Sequence, residues 1–143
     1  MATHQVRFRV YYEDTDAGGV MYHAQYLAFA ERGRSEALRE AGASAISLLQ
    51  EHGIAFVVRR ALVDYLRPLR LDDLVTVSTD IAERRGASVR LRQTLQTEPT
   101  PDAAPVLHAR LEITLASIRT SDGRPVRVPE PWATVLGRLS APD

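Results

Sequence analysis

The chain contains no cysteine and no lysine. The first absence excludes disulfides, thiolate metal sites and cysteine nucleophiles. The second removes Schiff-base chemistry and the phosphate-binding lysine of Walker-type loops. A surplus of charge is missing as well: 18 acidic residues balance 18 basic ones, all of them arginine. Nothing therefore draws the chain in bulk to nucleic acid or to an anionic lipid surface. Long apolar runs are also absent. The strongest, Ile54 to Val58, is cut by Arg59 and Arg60, far short of the ~20 apolar residues that a membrane span requires. The opening stretch MATHQVRFRV has no apolar core of a secretory signal. These absences lead us to expect a soluble, cytoplasmic protein with no membrane span and no nucleic-acid partner.

What is present is enough for one core. At 143 residues and 45% hydrophobic, residues 1–143 read as a single domain. Val6, Phe8, Val10 and Tyr12 alternate with polar neighbours, the period of a half-buried strand. Asp14 to Gly19 breaks that pattern with a turn. From about His23 to Ala41 the period becomes helical, with Ala30, Gly33, Ala37 and Ala41 forming a stripe of small residues that lets a helix approach a sheet closely. Ser44 to His52 reads as a shorter helix. Ile54 to Leu66 is apolar on both faces, the mark of a central strand. Alternating runs around 75–81, 89–96 and 107–115 follow, joined by turns too short for parallel crossovers. Pro129 to Leu136 reads as a short terminal helix or turn. The sum is an α+β chain, with one long helix and an antiparallel sheet of five strands or more. One helix cannot cover both faces of such a sheet, so a homo-oligomer, at least a dimer, is expected.

Chemistry is concentrated between Tyr11 and Arg34, in YYEDTDAGGVMYHAQYLAFAERGR. Three acidic residues, Glu13, Asp14 and Asp16, precede Gly18 and Gly19, which lead into the long helix. A calcium loop fails, because Gly18 and Gln25 stand where ligands are needed. A phosphotransfer aspartate requires a parallel sheet with crossover helices, and the chain has too few helices. His4, His52 and His108 show no metal-site spacing, so no metal is expected. No Gly-x-Ser-x-Gly elbow supplies a serine nucleophile. Two readings stand. One is an aspartate-rich turn with capping duty. The other is acyl chemistry, in which a carboxylate acts beside the unpaired N–H groups of a helix N-terminus. Asp16 lies nearest the helix mouth, and His23 sits where the helix begins, either as a second catalytic group or as a surface histidine.

The stretch VYYEDTDAGGVMYHAQYLAFAERGRSEALRE resembles the active-site signature of the 4-hydroxybenzoyl-CoA thioesterase family of hotdog-fold proteins. Within that family it is most similar to the bacterial acyl-CoA thioesterases associated with the Tol-Pal system. The resemblance continues through IAFVVRRALVDYLRPLRLDDLV. It implies a hotdog fold, a long helix wrapped by an antiparallel sheet, and a homodimer or homotetramer with active sites at the interface. It implies hydrolysis of an acyl-CoA or acyl-carrier-protein thioester without a cofactor. Carried over by position, Asp16 matches the catalytic aspartate and His23 the histidine of the Tyr-His pair. Gly18, Gly19 and Tyr22 belong to the same motif, and Val58 and Arg59 to the expected substrate-binding set. Arg60, Arg84 and Arg85 join Arg59 as candidates for the CoA phosphates. Met21 departs from the β-branched residue that relatives commonly carry, and it could reshape the acyl pocket. The alternative is a non-catalytic protein of the same fold that binds acyl chains or CoA, or serves as a peripheral partner of envelope machinery.

Overall fold

A computed structural model describes residues 3–139. The elements run β1 (His4–Arg9), a 3-10 turn (Tyr12–Asp14), α1 (His23–Glu40), α2 (Ala45–His52), β2 (Ile54–Tyr65), β3 (Leu74–Arg85), β4 (Ser88–Thr97), β5 (Val106–Arg119) and α3 (Trp132–Arg138). All five strands form one antiparallel sheet in the order β1-β3-β4-β5-β2. This is the α+β hotdog arrangement, with α1 lying across the sheet.

The small-residue stripe sets how close α1 comes. Ala30, Gly33 and Ala37 are buried against the sheet, and a Cβ at Gly33 would overlap Val77 Cγ1 on β3. Beneath the helix, buried Gln93 on β4 donates through Nε2 to the Ala30 carbonyl at 2.8 Å and to Thr79 Oγ1 at 2.9 Å. A buried amide that finds these acceptors escapes the penalty of an unpaired polar group. It also fixes the height of α1 above β3 and β4.

α2 begins where the sequence places it. Ser44 caps it through an Oγ that accepts from Ser47 N–H, and Gly53 ends it in the left-handed region at φ 64°. Trp132 of α3 packs under this helix, with His52 against its ring at 4.9 Å. The short α3 thereby closes the end of the sheet that α1 leaves open, and Ile81 N–H donates to the Leu139 carbonyl.

β2 departs from expectation. It pairs with β5 alone and lies at the sheet edge rather than its centre. Its apolar character on both faces is therefore not absorbed within one chain: Val58 and Leu62 are 52% and 47% exposed. β1 is also shorter than the alternation suggests. Its strand stops at Arg9, because the 3-10 turn turns the chain toward α1.

Candidate functional site

The acidic turn separates its carboxylates into two roles. Asp14 is 3% exposed. Its Oδ2 accepts from Tyr11 N–H at 2.9 Å and its Oδ1 from Gln25 Nε2 at 2.7 Å, and its carbonyl accepts from Tyr22 N–H at 2.8 Å. Those bonds stitch the 3-10 turn to the first turn of α1, and burial turns Asp14 away from solvent. Asp16 is exposed, and among the described residues only its Oδ1 is engaged, accepting from Gly18 N–H at 2.8 Å. This local bond is an Asx turn. It orients the carboxylate and leaves Oδ2 available. Gly19 closes the turn at φ 81°, where a side chain would be strained.

Asp16 and His23 line one pocket of about 330 Å³, together with Val20, Met21, Tyr26 and Tyr65. The pocket lies at the N-terminus of α1. That end has no side-chain cap and no acidic residue in its first turn, and the His23 and Ala24 N–H groups meet no acceptor among the described residues. Such N–H groups, with the positive end of the helix dipole behind them, favour an oxygen that carries or develops negative charge.

Residues distant in sequence build the opposite wall. The Tyr65 hydroxyl donates to the His23 carbonyl at 2.9 Å, and its ring meets Tyr26 edge-on at 5.0 Å. Tyr26 is buried and accepts from Leu69 N–H at 3.1 Å. Burial raises the Tyr26 pKa above its ordinary value; the Leu69 N–H opposes this, and the charges of Tyr65, Asp16 and Asp73 add to it. The phenol is therefore neutral at physiological pH. The segment Leu66–Arg67–Pro68 completes the pocket. It is held by His108, whose Nδ1 lies 3.2 and 3.1 Å from the Arg67 and Pro68 carbonyls. Both carbonyls can only accept, so Nδ1 carries the proton.

Of the expected residues, Gly18 and Gly19 form the turn beside Asp16, and Tyr22 stands outside the pocket with its ring 4.5 Å from that of His23. Val58 is not brought to this site; it lines a separate, larger cavity. Arg59 is exposed at a bulge in β2. Arg84 donates to the Ala133 carbonyl and serves α3, while Arg85 sits 4.0 Å from Glu83. The sequence reading missed Tyr26, Tyr65 and His108. Tyrosines spaced far apart carry no motif, and His108 was weighed only as a metal ligand. Among the described residues, no group of three or more His, Cys, Asp or Glu is arranged to hold a metal ion, and no helix is long and apolar enough to cross a membrane.

Comparison with known proteins bears on the chain as a whole. A family profile described as "Thioesterase-like superfamily" matches residues 10–136. The chain is similar to "Acyl-CoA thioesterase YbgC" of Haemophilus influenzae, 51% identical over 87 residues, covering 61% of this chain and 64% of the relative. The match thus spans less than two thirds of that protein. A Helicobacter pylori protein of the same name is 31% identical over 137 residues, covering 94% of this chain and 100% of the relative. Among solved structures, a probable thioesterase from Bartonella henselae superposes with a TM-score of 0.80 at 35% identity, over 90% of this chain and 100% of that one.

Proposed function

The chain belongs to the thioesterase-like superfamily, and on that premise we propose that it is an acyl-CoA thioesterase, with Asp16 as the acting carboxylate. The observation that carries this reading is the shared pocket: a half-free carboxylate and the uncapped N-terminus of α1 face the same space. The thioester carbonyl sits over that terminus, and its oxygen accepts from the N–H groups of the first turn as it becomes an oxyanion. Asp16 Oδ2 then either attacks the carbonyl carbon, expelling the CoA thiolate and leaving a mixed anhydride for water to cleave, or takes the proton of an attacking water. His23 positions the first turn through its carbonyl bond to Tyr65. The substrate is an acyl-CoA or acyl-carrier-protein thioester, and the products are the free acid and the thiol.

A homodimer fits the same reading. β2 presents an unpaired row of N–H and C=O groups with Val57, Val58 and Leu62 exposed beside it, and such an edge is satisfied by a second copy. Tyr65 closes this strand and lines the pocket, so the dimer interface would run up to the active site.

The test is free-thiol release from short, long and aromatic acyl-CoA thioesters and from an acyl-carrier protein. Release from at least one supports hydrolysis. Tight binding of acyl-CoA with no release from any would leave the non-catalytic binder in its place. Label found in Asp16 after one turnover in ¹⁸O-water identifies attack by Asp16, since general-base hydrolysis puts the label in the acid alone.

A further inference from the structure

Hydrolysis at the helix mouth uses Asp16 and the first turn of α1 but gives no task to Tyr26, a buried polar group of the same pocket. Only 3% of Tyr26 is exposed, and it borders the Asp16 pocket and not the larger cavity. Its ring is braced by Tyr65, edge-on at 5.0 Å. Its oxygen accepts from Leu69 N–H at 3.1 Å. Leu69 is itself anchored: it is fully buried, its carbonyl accepts from Met21 N–H at 2.7 Å, and His108 holds the two residues before it.

A hydroxyl has one donor as well as its lone pairs. Leu69 N–H occupies a lone pair and leaves the proton, and among the described residues the Tyr26 O–H meets no acceptor. Burial, the largest influence, and the Asp16 charge both raise the Tyr26 pKa, so the proton is present to be donated. Buried polar groups are rarely left unpaired, and the pocket is where an acceptor fits.

Helix geometry says which one. Tyr26 follows His23 by three residues in α1, so the two share a face one turn apart. Side chains tilt toward the helix N-terminus, which brings the Tyr26 hydroxyl back toward the first turn. Tyr65 marks the level, since its hydroxyl reaches the His23 carbonyl while its ring stands against Tyr26. An oxygen seated over the helix mouth thus meets N–H donors along the axis and one O–H from the side.

On the thioesterase reading, on which this inference rests, we propose that the Tyr26 hydroxyl is a catalytic donor to the thioester carbonyl oxygen. It joins the N–H groups of the first turn and holds that oxygen as it becomes an oxyanion. Tyr26 keeps its proton throughout, while the carbonyl carbon gains its new bond to oxygen and the carbon–sulfur bond breaks to release thiolate. The bond is worth more on the oxyanion than on the neutral carbonyl, so its loss falls mainly on turnover.

Tyr26→Phe keeps the ring and deletes the donor. On the acyl-CoA that wild type turns over best, kcat should fall about 100-fold. The variant also strands Leu69 N–H, so binding must separate the donor from damage to the wall. Two inert probes do this by calorimetric titration: the ketone analogue of hexanoyl-CoA, with CH2 in place of sulfur, and S-hexyl-CoA, which lacks the carbonyl oxygen. Tyr26→Phe should weaken the ketone about threefold to tenfold and leave S-hexyl-CoA unchanged. Equal losses for both probes would reduce Tyr26 to a wall residue and overturn the proposal. So would a lower kcat with unchanged ketone affinity, which would assign the proton to an attacking water. If Tyr26→Phe does not fold, 3-fluorotyrosine at position 26 decides. Its phenol is a stronger acid and a better donor, so the preference for ketone over S-hexyl-CoA should rise above that of wild type, and an unchanged preference would count against the donor. Absence of thiol release from wild type would sink the thioesterase reading instead, while the ratio of the two probes would still read the Tyr26 bond.

Discussion

The two ends of α1 make opposite uses of the same helix. At its N-terminus the backbone is uncapped, the first turn points into a pocket of about 330 Å³, and an exposed aspartate stands beside it. Toward its C-terminus the helix covers a larger space of about 520 Å³ walled by leucines, with no acidic residue oriented by an Asx turn. Size alone would have pointed to the second as the reactive site. Chemistry points to the first, because acyl transfer needs a base or nucleophile and donors for an oxyanion in one place. The larger cavity is walled chiefly by aliphatic side chains, and its carboxylate, Glu31, accepts from Ser35 Oγ and has no helix N-terminus beside it. The comparison teaches that a half-free carboxylate and an uncapped helix N-terminus coincide only at the smaller space among the described residues, which is why the proposed chemistry is placed there.

Substitutions on either side sharpen the contrast. The largest stability effect is expected from Leu48→Ala, which removes a fully buried side chain from the wall of the larger cavity. It should cost about 2–5 kcal/mol in urea unfolding and leave the turnover of a short acyl-CoA by folded protein unchanged. Turnover falling in step with stability would tie the two ends together. At the other end Asp14→Ala strands the Tyr11 N–H and the Gln25 amide. A loss of about 1–3 kcal/mol is expected, again read by denaturant unfolding. No loss would mean that the turn does not depend on its buried carboxylate.

Between the two ends, Gly33→Ala forces a methyl group into Val77 and should destabilise by about 1–3 kcal/mol through overpacking. A thermal midpoint equal to wild type would show that α1 can lift from β3 freely. The smallest effect is expected from Tyr65→Phe, which deletes the hydroxyl bonded to the His23 carbonyl. It should cost about 1 kcal/mol of stability and lower kcat several-fold by loosening the first turn. An unchanged kcat would remove Tyr65 from the positioning set.

Much of the fold was legible in the chain, because local periodicity reports local burial. The stripe Ala30–Gly33–Ala37 marked where α1 meets the sheet, and the run Ser44 to His52 marked α2. The position of β2 was not legible. An apolar pattern on both faces says that both faces are covered, and it does not say whether the cover comes from the same chain; here the strand is an edge. The acidic turn was legible as a motif, but the difference between Asp14 and Asp16 was not. A 3-10 turn rotates one inward to Gln25 and leaves the other outside, which two-residue spacing cannot reveal. The far wall was invisible for a different reason. Tyr65 reaches the His23 carbonyl across 42 positions of chain, and His108 holds a loop about 40 positions away. Such contacts arise only when the sheet is assembled. Val58, expected among the substrate-binding residues, lines the larger cavity and not the Asp16 pocket.

The central claim is that the half-free carboxylate at the helix mouth does the chemistry. The most direct measurement is the kcat of Asp16→Asn against wild type on the acyl-CoA that wild type turns over best, with thermal unfolding of both preparations alongside. The account predicts a fall in kcat of about 100-fold or more, with KM and the unfolding midpoint close to wild type, since Asp16 is exposed and makes one local bond. Equal turnover by the two proteins would contradict it and move the chemistry away from this turn.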